Sequence, residues 1–112
     1  MKELMKKLSL FAKERDWEQF HSPKNLSMAL AVETAEIMEH FQWLTEKQSR
    51  NLDQKTLEKV KDEIADTQIY LARLADQLGI DPIAAANEKL IKNANKYPID
   101  KAKGSAKKYT EL

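Results

Sequence analysis

The stretch LEKVKDEIADTQIYLARLADQL, residues 57–78, decides the fold. Within it Leu57, Val60, Ile64, Thr67, Leu71, Leu74 and Leu78 recur alternately three and four apart without a break. A half-buried strand would alternate every second residue, whereas a period of about 3.5 describes a helix packed against near-parallel neighbours. Asp53 stands before the run as an N-cap, and Gly79-Ile80-Asp81-Pro82 after it reads as stop, cap and restart. Further out, Ser22-Pro23 puts a capping side chain before a proline at the first helical position, and Pro98 closes a last segment. Four helices are thus predicted, at about residues 2–16, 23–44, 54–78 and 82–96. The tail, 98–112, carries Lys101, Lys103, Lys107 and Lys108 around Gly104-Ser105, and is either a flexible end or a strap over a neighbouring surface.

Composition supports an all-α class. Only two Gly and three Pro occur in 112 residues, too few for the closely spaced turns of an all-β sandwich or barrel. One domain over residues 1–112 is expected, a four-helix bundle-like arrangement that gains from burying more surface in a homo-oligomer. Charged residues make up 33%, but 19 basic against 18 acidic leave a net charge of +1. No global attraction to nucleic acid follows, and the tail lysines are too small a patch to reverse that. The absence of cysteine excludes disulfides, Cys-ligated zinc and a thiol nucleophile. The longest uncharged run, Asn25 to Val32, is far below the ~20 residues of a membrane span. No apolar segment backs the opening Met-Lys-Glu-Leu-Met-Lys-Lys, so no secretory signal is read and a cytoplasmic location is expected.

Several acids stand where a bundle should be apolar. On the second helix Leu26, Ala29, Leu30, Ile37, Phe41 and Leu44 form one stripe, and Glu33 falls inside it. Glu36 lies at its edge, about 60° away at 100° per residue. An unpaired buried carboxylate costs several kcal/mol, so Glu33 requires a cation, a partner base or a proton. On the third helix Glu63, Asp66 and Tyr70 share a line flanking the heptad stripe. Two acid pairs, Glu33/Glu36 and Glu63/Asp66, on helices whose apolar faces must meet suit carboxylates converging on one or two hard cations. All-oxygen ligands favour Mg²⁺, with Mn²⁺ as substitute, over zinc or copper. A di-iron site would want Glu-x-x-His twice. His21 and His40 are the only histidines, and Glu36 to His40 is four apart.

On the fourth helix Lys89, Asn93 and Lys96 recur four and three apart with Tyr97 adjoining, along one flank of the face Ile83, Ala86, Leu90 and Ala94. Opposite four acids holding Mg²⁺, such a stripe suits phosphate oxygens, which together describe a metal-dependent phosphoryl-type hydrolase. Trp17, Phe20 and His21 cluster in the polar connection between the first two helices, either walling a pocket for a base or packing against a subunit. Trp43 at the end of the second helix is a similar case.

With these residues assembled, the chain resembles the MazG-like, all-α nucleoside triphosphate pyrophosphohydrolases, and within them the dCTP pyrophosphatase branch. The matching pieces are Glu-Arg-Asp-Trp-Glu-Gln-Phe-His at 14–21, Glu33-x-x-Glu36 leading into Phe41-Gln42-Trp43, Glu63-x-x-Asp66 before Ile69-Tyr70-Leu71, and Lys89-x-x-x-Asn93-x-x-x-Tyr97-Pro98. The resemblance covers about Phe11 to Leu112. It implies Mg²⁺ held by Glu33, Glu36, Glu63 and Asp66, and cleavage of a (deoxy)nucleoside triphosphate, dCTP or a modified dCTP, to the monophosphate and pyrophosphate. It also implies a homo-oligomer, a tetramer built from dimers, with the nucleotide near a subunit interface. Lys89, Asn93 and Tyr97 match phosphate-holding positions, Tyr70 one near the sugar, and Trp17, Phe20 and Trp43 ones near the base. Two departures stand out: Leu8 occupies the place of a histidine nine residues before Trp17, and Lys96 stands where some relatives have Arg. Alternatives are the same chemistry on dUTP or a damaged nucleotide, and a non-catalytic helical interaction module whose Glu33 and Glu63 pair with lysines.

Overall fold

The computed structural model describes all residues, 1–112, and every regular element is helical. Two compact units divide the chain, residues 1–80 and 81–112. The first contains α1 (Lys2–Glu14), α2 (Pro23–Glu39), α3 (Glu46–Ser49) and α4 (Gln54–Gln77), with a 3₁₀ turn at Glu18–Phe20. The second contains α5 (Pro82–Lys96), α6 (Ile99–Ala102) and a 3₁₀ turn at Tyr109–Glu111. Six α-helices therefore replace the four read from the sequence. No helix is long and apolar enough to cross a membrane.

The expected caps form. Ser22 accepts from the Asn25 N–H at 3.1 Å with Pro23 behind it, and Asp53 accepts from Thr56 at 2.7 Å. Asp81 accepts from both Ile83 and Ala84 at 3.1 Å. Gly79, at φ 67°, closes α4 through the bond from the Ile80 N–H to the Ala75 carbonyl, a left-handed stop that glycine adopts without a Cβ penalty.

Two expectations need correction. α1 ends at Glu14 rather than residue 16, because Asp16 takes φ 55° and the Trp17 N–H returns to the Ala12 carbonyl at 2.9 Å. This is the same closing motif with aspartate in place of glycine. α2 ends at Glu39, not residue 44, because Thr45 and Gln48 build a reciprocal capping box that starts α3. Thr45 sits in extended backbone, φ −72° and ψ 164°, and no helix runs through it. The heptad stripe of α4 is covered on one side only. Val60 is buried and Thr67 and Leu74 are half-buried, while Leu57, Ile64, Leu71 and Leu78 stay 44–52% exposed. α4 packs on both α2 and α1, and its fully buried positions are Val60, Ala72, Arg73 and Ala75. Leu26 of α2 and Ala12 of α1 complete the buried set.

In the second unit the tail folds back on its own helix. The Tyr109 ring meets Tyr97 edge-on at 6.1 Å between centroids, and the Lys96 ammonium lies 4.9 Å from the Tyr109 ring centre.

Candidate functional site

Where α2 lies along α4, Glu33, Glu36 and Glu63 come together, each half-buried. One carboxylate oxygen from each can be chosen so that all three lie within 4.8 Å of one another. Ligand oxygens around an octahedral ion at about 2.1 Å stand roughly 3–4 Å apart, so the three need only a small closure to share one. Asp66 is exposed; its charge is felt at Glu33, and it lines the neighbouring cavity.

The electrostatics describe an unbalanced site. Burial, then hydrogen bonding and charge from Glu36, then the charge of Asp66 push the Glu33 carboxyl up to about 7. The Glu63 carboxyl is raised first by its hydrogen bond with Glu36 and next by burial, with His40 opposing. His40 Nε2 stands 3.9 Å from Glu63 Oε1, the one basic group at the cluster. Glu33 Oε2 and Glu63 Oε2 are buried acceptors with no hydrogen-bond partner. Buried acceptors left so are rare because desolvation makes them costly. No lysine pairs with these two oxygens, and His40 reaches only the other oxygen of Glu63. A proton shared between carboxyls, or a hard divalent cation, satisfies both; the donor set fits Mg²⁺ or Mn²⁺.

Beside the acids is a cavity of about 360 Å³. α1 supplies Leu8, Phe11 and Ala12 to its wall, α4 supplies Asp66, Ile69, Tyr70 and Arg73, and the connection supplies Trp17 and His21. Phe11 and Trp17 meet edge to face at 5.7 Å, and Trp17 stands 6.4 Å from His21. This contact accompanies the left-handed stop at Asp16, which turns Trp17 back over α1. Arg73, only 3% exposed, donates from Nε to His21 Nδ1 at 3.3 Å and from Nη1 to Asp76 Oδ2 at 3.4 Å. Burial, with the Arg73 charge second, holds the His21 pKa below the ordinary imidazole value, consistent with a neutral ring accepting at Nδ1.

Of the aromatic and imidazole candidates, Trp17, His21 and Tyr70 thus meet in one cavity, which Asp66 also lines; of the four acids read as metal ligands, Asp66 stands outside the group formed by Glu33, Glu36 and Glu63. Phe20 and Trp43 do not line it and stand 59% and 86% exposed. Lys89, Asn93, Lys96 and Tyr97 lie in the second unit, with Asn93 and Tyr97 half-buried and the lysines exposed. Sequence reasoning missed Arg73 and His40 as neighbours of the site. Arg73 continues the line Glu63, Asp66, Tyr70 by a further three residues, a signal present in the spacing.

The chain is 42% identical over 104 residues to mouse dCTP pyrophosphatase 1, covering 91% of this chain and 61% of that protein. The human dCTP pyrophosphatase 1 is 41% identical over the same extents. The chain therefore spans about three-fifths of the length of these relatives. Among solved structures, a pyrophosphatase from Archaeoglobus fulgidus superposes with a TM-score of 0.82 at 39% identity, over 88% of this chain and 92% of that one. Residues 28–112 match the profile of the MazG-like family, and with these relatives the chain belongs to that family.

Proposed function

We propose that this chain hydrolyses a (deoxy)nucleoside triphosphate to the monophosphate and pyrophosphate, with dCTP or a modified dCTP as substrate. The observation that carries this reading is the group of converging carboxylates with orphaned oxygens, adjoining an aromatic cavity through Asp66. The relatives named dCTP pyrophosphatase support the choice of nucleotide.

In this reading Glu33, Glu36, Glu63 and Asp66 hold Mg²⁺. When bound, the ion neutralises phosphate charge that the carboxylates alone would repel and polarises the α-phosphate. A carboxylate oxygen left free orients the attacking water in line with the α-phosphorus, and pyrophosphate leaves. Trp17 and Tyr70 flank the base and sugar, and Leu8, Phe11 and Ile69 exclude water around them. Lys89, Asn93, Lys96 and Tyr97 take phosphate oxygens, and Phe20 and Trp43 belong to the base side on the strength of the family resemblance. The domain is the whole chain, 1–112, tail included.

A homo-oligomer belongs to the same proposal. Leu57, Ile64, Leu71 and Leu78 recur every seven residues and are half-exposed. Such a row on a helix is self-complementary about a two-fold axis, and a second copy of this chain is its occupant.

The test is a nucleotide panel scored by pyrophosphate release, with Mg²⁺ and with chelator, run beside Glu33→Gln and Asp66→Asn. Turnover of dCTP that chelator abolishes and Mg²⁺ restores is expected, with both variants inactive yet helical. Wild-type rates from Asp66→Asn, or a panel with no triphosphate cleaved, would remove the proposal. Preference for dUTP or an oxidised base would keep the chemistry and change the substrate.

A further inference from the structure

We propose that Arg73 is the base-reading residue of the cavity, donating to acceptor atoms on the edge of the nucleobase. This rests on the triphosphate hydrolase reading above and names what that reading leaves open, the group that selects the base.

A guanidinium carries five N–H donors, no acceptor, and a charge it does not give up. Here it is 3% exposed, and its compensation is thin. His21 Nδ1 at 3.3 Å is an uncharged acceptor, and Asp76 Oδ2 at 3.4 Å belongs to a side chain 38% exposed. Nη2 is buried and has no partner at all. A buried cation in this state is costly unless another acceptor reaches it. Arg73 forms part of the cavity wall, so a ligand in that cavity is the source of one.

The remaining wall says which kind of ligand. Phe11, Trp17 and Tyr70 present flat, largely apolar surface, against which a phosphate would lose hydration without replacement, whereas a planar heterocycle stacks. Arginine pairs best with an edge bearing adjacent acceptors. Cytosine offers O2 and N3 in that arrangement. Adenine bears no carbonyl and places an amino donor beside N7 and N1. His21 and Asp76 act as positioning residues, fixing the fork through Nε and Nη1 and leaving Nη2 to the base.

The experiment measures kcat and KM for dCTP and dATP in the whole chain, 1–112, and in Arg73→Gln. Arg73→Met, which keeps an unbranched apolar stem without donors, is measured in parallel in case the first variant folds poorly. Loss of an arginine pair to a base is expected to raise KM for dCTP roughly tenfold or more, leave kcat nearly unchanged, and cut the dCTP to dATP preference by the same factor. A merely structural arginine would depress both substrates alike, and an unchanged preference ratio overturns the proposal. Calorimetry with dCMP and with deoxyribose 5-phosphate separates this from the fate of the hydrolase reading. Should the wild type cleave no triphosphate, the hydrolase reading falls. The base-reading role then stands only if dCMP binds tighter than the abasic phosphate and Arg73→Gln erases the difference; equal binding of the two by the wild type overturns it.

Discussion

Glu33 sets the pH behaviour of the metal-free protein. Its carboxyl is pushed up to about 7 in the folded chain from 4.5, with burial the first cause. The folded state therefore binds a proton the unfolded state releases. That stabilisation is present in full below the unfolded pKa and is lost as pH rises through about 7. Without divalent ions the melting temperature is expected to fall between about pH 5 and pH 8, and Mg²⁺ to restore it most at the alkaline end. Glu33→Gln is expected to flatten that slope and melt higher at about pH 8 by several degrees, each kcal/mol being worth roughly 4–8 °C, while activity is lost. A scan in which wild type and variant run parallel across the range would contradict this. Glu33 was legible in the sequence because it interrupts an apolar stripe, where a charge has no default explanation. Arg73 was less so: it continues the line of Glu63, Asp66 and Tyr70, but an arginine on a helix is ordinarily a solvated residue. Its burial depends on α1 and His21 arriving from elsewhere in the chain.

At the level of the elements, the local code was readable wherever a side chain caps a backbone group. Ser22, Asp53, Gly79 and Asp81 act as their spacing indicates. The misreadings arose where a less common residue performs the same task. Asp16 occupies the left-handed position that glycine usually fills, and the Thr45–Gln48 box opens a four-residue helix with no apolar run behind it. Asp16 also carries the cavity, since its turn brings Trp17 against Phe11. Asp16→Val, a β-branched residue forced to positive φ, is expected to cost about 1–2 kcal/mol in a urea titration. It is also expected to weaken nucleotide binding by more than the stability loss explains, because Trp17 loses its anchor. An unchanged midpoint would show that the turn tolerates a branched side chain. The α4 stripe was predicted correctly as a helix packed against neighbours, and the chain itself covers only part of it. Periodicity counts apolar residues without knowing how many neighbours will cover them.

Across the whole molecule, the two faces of α4 have different fates. The row Leu57, Ile64, Leu71 and Leu78 is assigned to a second copy of the chain, and Ile64→Glu is its direct test. Sedimentation is expected to show a smaller species, with association weakened at least roughly 30-fold as a charge enters an apolar seam. A wild type that sediments as a monomer at high concentration would refute the pairing. The other face meets the acids, and its consequence is optical. Trivalent lanthanides are hard cations that take oxygen donors such as the clustered carboxylates, and Asp66, whose charge is felt at Glu33, lines the wall that holds Trp17 and Tyr70. Terbium added to the protein is therefore expected to glow green under ultraviolet excitation, sensitised by those indole and phenol rings. Cation occupancy then becomes visible as emitted light, titrated and competed away with no nucleotide in the cuvette.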